Sequence, residues 1–109
     1  MYRMNPNYGD FNSALTKAVQ AVARLDTGRV WFLPHALREM DNDGFDHDEV
    51  LVCLRKGKAH GPELQSGQLR ANVVHRGLHI RVVVGGLDAV HGDWGQLQSV
   101  KVVTVMRVE

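Results

Sequence analysis

His35 and Arg38 stand one helical turn apart, directly after Pro34. Proline suits the first turn of a helix, because its missing N–H is not needed there. The i, i+3 and i, i+4 spacing then puts His35, Arg38 and Glu39 on one face. A neutral imidazole beside a guanidinium resists protonation, which suits a general base near neutral pH. The guanidinium itself matches a phosphate with two parallel hydrogen bonds. The same residues also fit a plainer arrangement, with His35 capping its helix and Arg38 paired with Asp41 or Glu39 at the surface.

A second set lies in the C-terminal half. His79 and Arg81 alternate with Ile80, Val82 and Val84, and Lys101 and Arg107 flank the apolar run of the last segment. Read as strands, these segments place His79 and Arg81 on one sheet face and Lys101 and Arg107 together on a face of the last strand. With Arg70 and Asn72 they make a polar face rich in Arg, Lys and His. Such a face suits a phosphodiester: guanidinium groups stabilise the pentacoordinate oxyanion and histidines carry protons, without a metal. Ordinary polar alternation on a half-exposed sheet gives the same pattern.

The other histidines give less. His47 follows a helix cap, His91 lies in a glycine-rich stretch, and His60 sits beside Pro62 in an expected loop, so all three read as surface residues. His75 and His79 have HxxxH spacing but straddle the expected turn at Gly77 rather than a helix, and no HExxH or CxxC motif is present. Neither a metal site nor a cofactor is therefore expected. Cys53 lies in an apolar run and reads as a packed small hydrophobe. Gly85 and Gly86 follow a strand but lack the lysine and helix of a phosphate-binding loop.

Positioning these residues requires a defined set of elements. Met1 to Gly9 has no periodicity and reads as a poorly ordered lead-in. Phe11, Ala14, Leu15, Ala18, Val19, Val22 and Leu25 recur at helical steps, with Asp10 or Asn12 as N-cap and Gly28 as stop. Val30 to Leu33 reads as a short strand and Pro34 to about Asp41 as a helix, closed by Gly44 in the left-handed conformation. Asp46 and Glu49 have capping-box spacing and open a third helix that ends near Gly57. Leu69 to Val73 and Ile80 to Val84 form a hairpin about Gly77. Gly85 to Gln98 reads as a long loop, and Val100 to Val108 as a last strand whose apolar character predicts an internal position. Helices segregated from strands define an α+β fold, with N-terminal helices on a small curved antiparallel sheet.

The chain of 109 residues and 12.2 kDa is the size of one domain, expected over 10–109 after the lead-in. Thirteen Lys and Arg against twelve Asp and Glu leave a net charge of +1, so overall charge selects no polyanionic partner. Its distribution is uneven, since Glu39, Asp41, Asp43, Asp46, Asp48 and Glu49 crowd into one stretch. A single cysteine excludes an internal disulfide framework, and no apolar run approaches the roughly 20 residues that span a bilayer. The expectation is a cytoplasmic protein with no membrane contact.

The segment 30–109 resembles a widespread bacterial family of small uncharacterised domains. Its members open with a strand and a helix carrying an HA…RM pattern, matched by His35, Ala36, Arg38 and Met40. They continue through paired acids and a valine, matched by Asp48, Glu49 and Val50, and end in a pattern matched by Val102 to Arg107. That family is similar in layout to RelE/ParE-like toxins of the BrnT and MqsR types and to barnase-like ribonucleases. The resemblance implies a metal-independent endoribonuclease toxin acting on mRNA or tRNA, with attack by the 2′-hydroxyl and a cognate antitoxin or immunity protein as partner. His35 and Arg38 match the family's helix histidine and arginine; together with the strand-face residues this gives His35 as acid or base, His79 as second proton carrier, Arg38, Arg81 and Arg107 on the phosphate, and Arg70 and Lys101 along the RNA. The chain departs from the family in having Met106 where an aromatic is common, and Asp41 or Asp43 where an arginine precedes the turn. Residues 10–28 form an added helix suited to partner contacts or a homodimer. The alternative is a catalytically silent protein-binding module of the same fold.

Overall fold

The computed structural model describes residues 8–25 and 29–108. The expected stop at Gly28 and residues 1–7 of the lead-in lie outside them. Helix α1 spans Ser13–Leu25, strand β1 Val30–Phe32, helix α2 Pro34–Asp43 and helix α3 His47–Lys56. Four strands follow: β2 Lys58–Gln65, β3 Gln68–His75, β4 Ile80–Gly85 and β5 Val100–Arg107. They join β1 in one five-stranded sheet of order β1-β5-β4-β3-β2. Every pairing is antiparallel except β1 with β5. The fold is α+β, three helices packed with a mostly antiparallel sheet.

Local chemistry accounts for the helix ends. Asn12 is the cap of α1, its Oδ1 accepting from the Leu15 N–H at 2.9 Å. The capping box of α3 is complete: Asp46 Oδ1 accepts from Glu49 N–H at 2.8 Å, and Glu49 Oε1 from Asp46 N–H at 3.2 Å. Gly44 closes α2 with φ 77°, a conformation that favours glycine. Gly57 ends α3 for a different reason. Its φ is ordinary, but a Cβ there would stand 2.5 Å from the Cys53 carbonyl oxygen and 2.8 Å from that of Val74. The helix C-terminus is thereby pressed against β3.

One apolar core joins the helices to the sheet. Leu15, Val19 and Val22 of α1 and Val50, Cys53 and Leu54 of α3 pack on Ala59, Val73, Ile80, Val82, Val84, Val102 and Val105. Phe11 does not join the buried face of α1; it precedes the helix, bridges to His60 and is exposed. The apolar β5 is internal, as its composition predicts. Beyond the short β1 its edge is covered by α2, and Glu39 Oε1 accepts the Val105 N–H at 3.1 Å. A free edge donor is thus satisfied by a helix side chain.

The sheet has more strands than its sequence announces. Lys58–Gln65, expected as a loop around His60, is the edge strand β2, paired with β3 through Lys58↔Val74 and His60↔Asn72. Apart from Ala59, which is buried, it has little apolar content of its own. Pairing and bonds from α1 hold it: Ala59 N–H donates to Thr16 Oγ1 at 2.8 Å, and Asn12 Nδ2 donates to the Gly61 carbonyl at 3.0 Å. The stretch after β4 contains two single 3-10 turns, 88–90 and 94–96, rather than a structureless loop.

Candidate functional site

Register decides which of the sequence-predicted residues share a face. Residues opposite one another in adjacent strands project the same way. Arg81 pairs with Met106, and Val74 with Arg81, on the face away from α1 and α3. Arg107 pairs with the fully buried Ile80, so it starts from the helix side. Its guanidinium lies 4.4 Å from the Phe45 ring centroid and donates to the Asp43 carbonyl. Between Val83 and Val84 the β5 partner jumps from Thr104 to Val102, leaving Val103 as an extra residue. This bulge inverts the alternation. Lys101, opposite Gly85, is consequently on the open face, and the expected sharing of a face by Lys101 and Arg107 is corrected.

His79 also leaves its predicted place. It caps the 3-10 turn 76–78 in the left-handed region at φ 55°, and its carbonyl accepts from Val108 N–H. It therefore does not project beside Arg81. His35 does not cap α2, whose N-cap Leu33 makes no side-chain bond. Instead its Nε2 lies 3.3 Å from Glu39 Oε2. The neighbour of the imidazole is thus a carboxylate and not the Arg38 guanidinium, and Arg38 is exposed with neither Asp41 nor Glu39 on it. Arg70, opposite Glu63 on β2 and aligned with Gly85, shares the open face with Arg81 and Lys101 but lies towards the other end of β3 from Val74 and Arg81. The seven predicted residues do not converge on one site.

The open face is partly covered by the chain's own start. Tyr8, placed in the lead-in by sequence, packs on it: its carbonyl accepts from Asn72 Nδ2 at 3.2 Å, and its ring centroid lies 4.9 Å from the Arg81 guanidinium. Asn72, expected to be exposed, is buried beneath. Arg81 also donates to the Met106 sulfur, while its Nε is buried without a partner among the described residues.

What does converge is a set that sequence spacing did not single out. A cleft of about 230 Å³ at the β2 edge is lined by Lys56, Lys58, His60, Val74, His75, Arg76 and Gly77. Three cations and two imidazoles meet there with no carboxylate in the lining. Lys56 comes from the end of α3, Lys58 and His60 from β2, and His75 and Arg76 from the turn after β3. Only β2–β3 pairing brings 56–60 and 74–77 together. Arg81 pairs with Val74 of the cleft lining and stands against Tyr8.

The two imidazoles are held differently. His75 Nδ1 accepts from Leu78 N–H at 3.1 Å, which ties its ring to the turn after β3. His60 is held below the usual histidine range, chiefly by burial and further by the Arg76 and Lys58 charges, against a Gly9 backbone hydrogen bond that favours the charged form. At neutral pH it is an uncharged base beside fixed cations. Tyr8 and Phe11 flank it, with ring centroids at 6.2 and 6.0 Å.

Comparison with protein-family models, curated proteins and solved structures finds no match. The site stands on its geometry alone. Among the described residues no three of His, Cys, Asp and Glu gather as metal ligands, and no helix is long and apolar enough to cross a membrane.

Proposed function

We propose that the protein acts on RNA, binding its phosphates in the Lys56–Lys58–Arg76 cleft and cleaving the chain by metal-independent acid–base chemistry. The observation that carries this reading is the cleft itself, where three cations surround a histidine whose charged form is disfavoured. Cations bind phosphate and stabilise the added negative charge of a pentacoordinate phosphorus. An uncharged imidazole beside them accepts a proton at neutral pH.

In this proposal His60 takes the proton of a ribose 2′-hydroxyl as its oxygen bonds to phosphorus. The bond from phosphorus to the 5′ oxygen breaks, and that oxygen takes a proton from the Lys58 ammonium or water. The products are a 2′,3′-cyclic phosphate and a 5′-hydroxyl end, with no net redox change. The resemblance of 30–109 to RelE-like toxins supports the same reaction class and a cognate antitoxin or immunity protein as partner, but with His60 and Arg76 in the roles that the resemblance gives to His35 and Arg38.

A second reading, a catalytically silent protein-binding module, is favoured by Trp31, which is 61% exposed on the edge strand β1. Exposed tryptophans are common anchors of protein interfaces. Incubating end-labelled RNA with the purified protein in chelator separates the two. Cleavage by wild type, lost in His60→Ala and kept in His35→Ala, supports the enzyme. Intact RNA at all times, with no growth arrest on expression, leaves the binding module.

A further inference from the structure

Beside the cleft stands an aromatic ring that the fold leaves open. Phe11 is 53% exposed, pairs across a β-bridge with His60, and has the Lys58 ammonium 6.0 Å from its ring centroid. Its backbone position is fixed by neighbours: Asn12 N–H donates to the Ala59 carbonyl, and Gly61 N–H to that of Asp10. A large apolar ring exposed to solvent beside Lys58 and His60 of the cleft has the composition of a stacking platform for an unpaired base. On the far side of Gly61 a second hollow is lined by Asp10 and Glu63, whose carboxylates disfavour phosphate there.

We propose that the cleft selects single-stranded RNA, with one unpaired base stacked on Phe11 and the adjoining phosphate among Lys56, Lys58 and Arg76. The proposal deepens the RNA reading and rests on it. Bases in a duplex are already stacked and turned inward, so a duplex offers the cations its phosphates but offers Phe11 nothing.

Fluorescence anisotropy with a labelled 12-nucleotide single strand and a hairpin duplex, both 2′-O-methylated so that neither offers the nucleophilic hydroxyl, tests this at fixed salt. Wild type is expected to bind the single strand more tightly than the duplex. Phe11→Ala and Phe11→Leu, the second retaining apolar bulk without a ring, are expected to weaken single-strand binding roughly ten-fold or more. Neither change is expected to alter duplex binding, and Phe11→Tyr restores the preference. Lys58→Gln weakens both ligands and flattens the salt dependence. Unchanged single-strand affinity in Phe11→Ala, or equal losses on both ligands, overturns the stacking proposal while the Lys58→Gln effect keeps RNA binding. Absence of RNA binding by wild type overturns both.

Discussion

Three side chains show how burial sets reactivity here. Cys53 is fully buried in α3 against the sheet, and burial pushes its thiol up to about 12 from the ordinary 9.0. The thiolate is the reactive species, so a thiol-specific reagent at pH 8 is expected to react only on unfolding, in proportion to denaturant. The folded pKa is the higher one, so its stabilising contribution is complete below pH 9 and falls as pH rises towards 12. His60 has the opposite sign. Its folded pKa lies below the ordinary 6.5, so the unfolded chain binds more protons in that window and stability falls as pH drops below 6.5. Acid titration of unfolding midpoints in wild type and His60→Phe checks this: the wild type loses more on going below pH 6.5. Thr16 is buried with its hydroxyl donating to the Asn12 carbonyl and accepting from Ala59 N–H. Thr16→Val leaves that N–H unpaired and is expected to cost about 1–3 kcal/mol by chemical denaturation.

At the scale of elements, the joint between α3 and β2 leaves no room for a side chain at Gly57. A side chain at Gly57 meets two backbone carbonyls that cannot swing aside, so Gly57→Ala is expected to be destabilising by several degrees in melting temperature. Gly44→Ala loses only the left-handed preference, since nothing lies within 4 Å of a Cβ there. Both glycines were legible as helix stops, and for α1, α2 and α3 the apolar spacing and caps sufficed because those signals are local. The strand β2 was not legible. Lys58, Gly61, Pro62 and Glu63 give no alternation, and the strand exists because β3 supplies a ladder and α1 supplies Thr16 and Asn12. The cleft went with it: without the β2–β3 pairing nothing relates Lys56, Lys58 and His60 to His75 and Arg76. The face assignment of Arg107 failed through the bulge at Val103, which no residue type announces.

At the scale of the whole molecule, the two charged regions lie towards one end of the sheet but on opposite sides of it. Arg107, Ile80 and His75 are aligned in register across β5, β4 and β3, with the acidic α2–α3 connection beyond Arg107 and the cationic cleft beyond His75. Three strand spacings put them about 14 Å apart. That exceeds the Debye length of about 8 Å at physiological salt and is well inside the roughly 30 Å reached at 0.01 M. The exposed Asp41 and Asp43 therefore repel a polyanion in the cleft only when salt is low. Asp41→Asn with Asp43→Asn is expected to leave RNA affinity within about two-fold at 0.15 M salt and to raise it several-fold at 0.01 M. Lys58→Gln is expected to lower affinity at both salts, because the proposal places the phosphate against its ammonium. Anisotropy titrations of both variants across this range check the assignment. A gain from the aspartate changes that persists undiminished at 0.15 M would place RNA against α2, on the His35 and Arg38 side, and not in the β2 cleft.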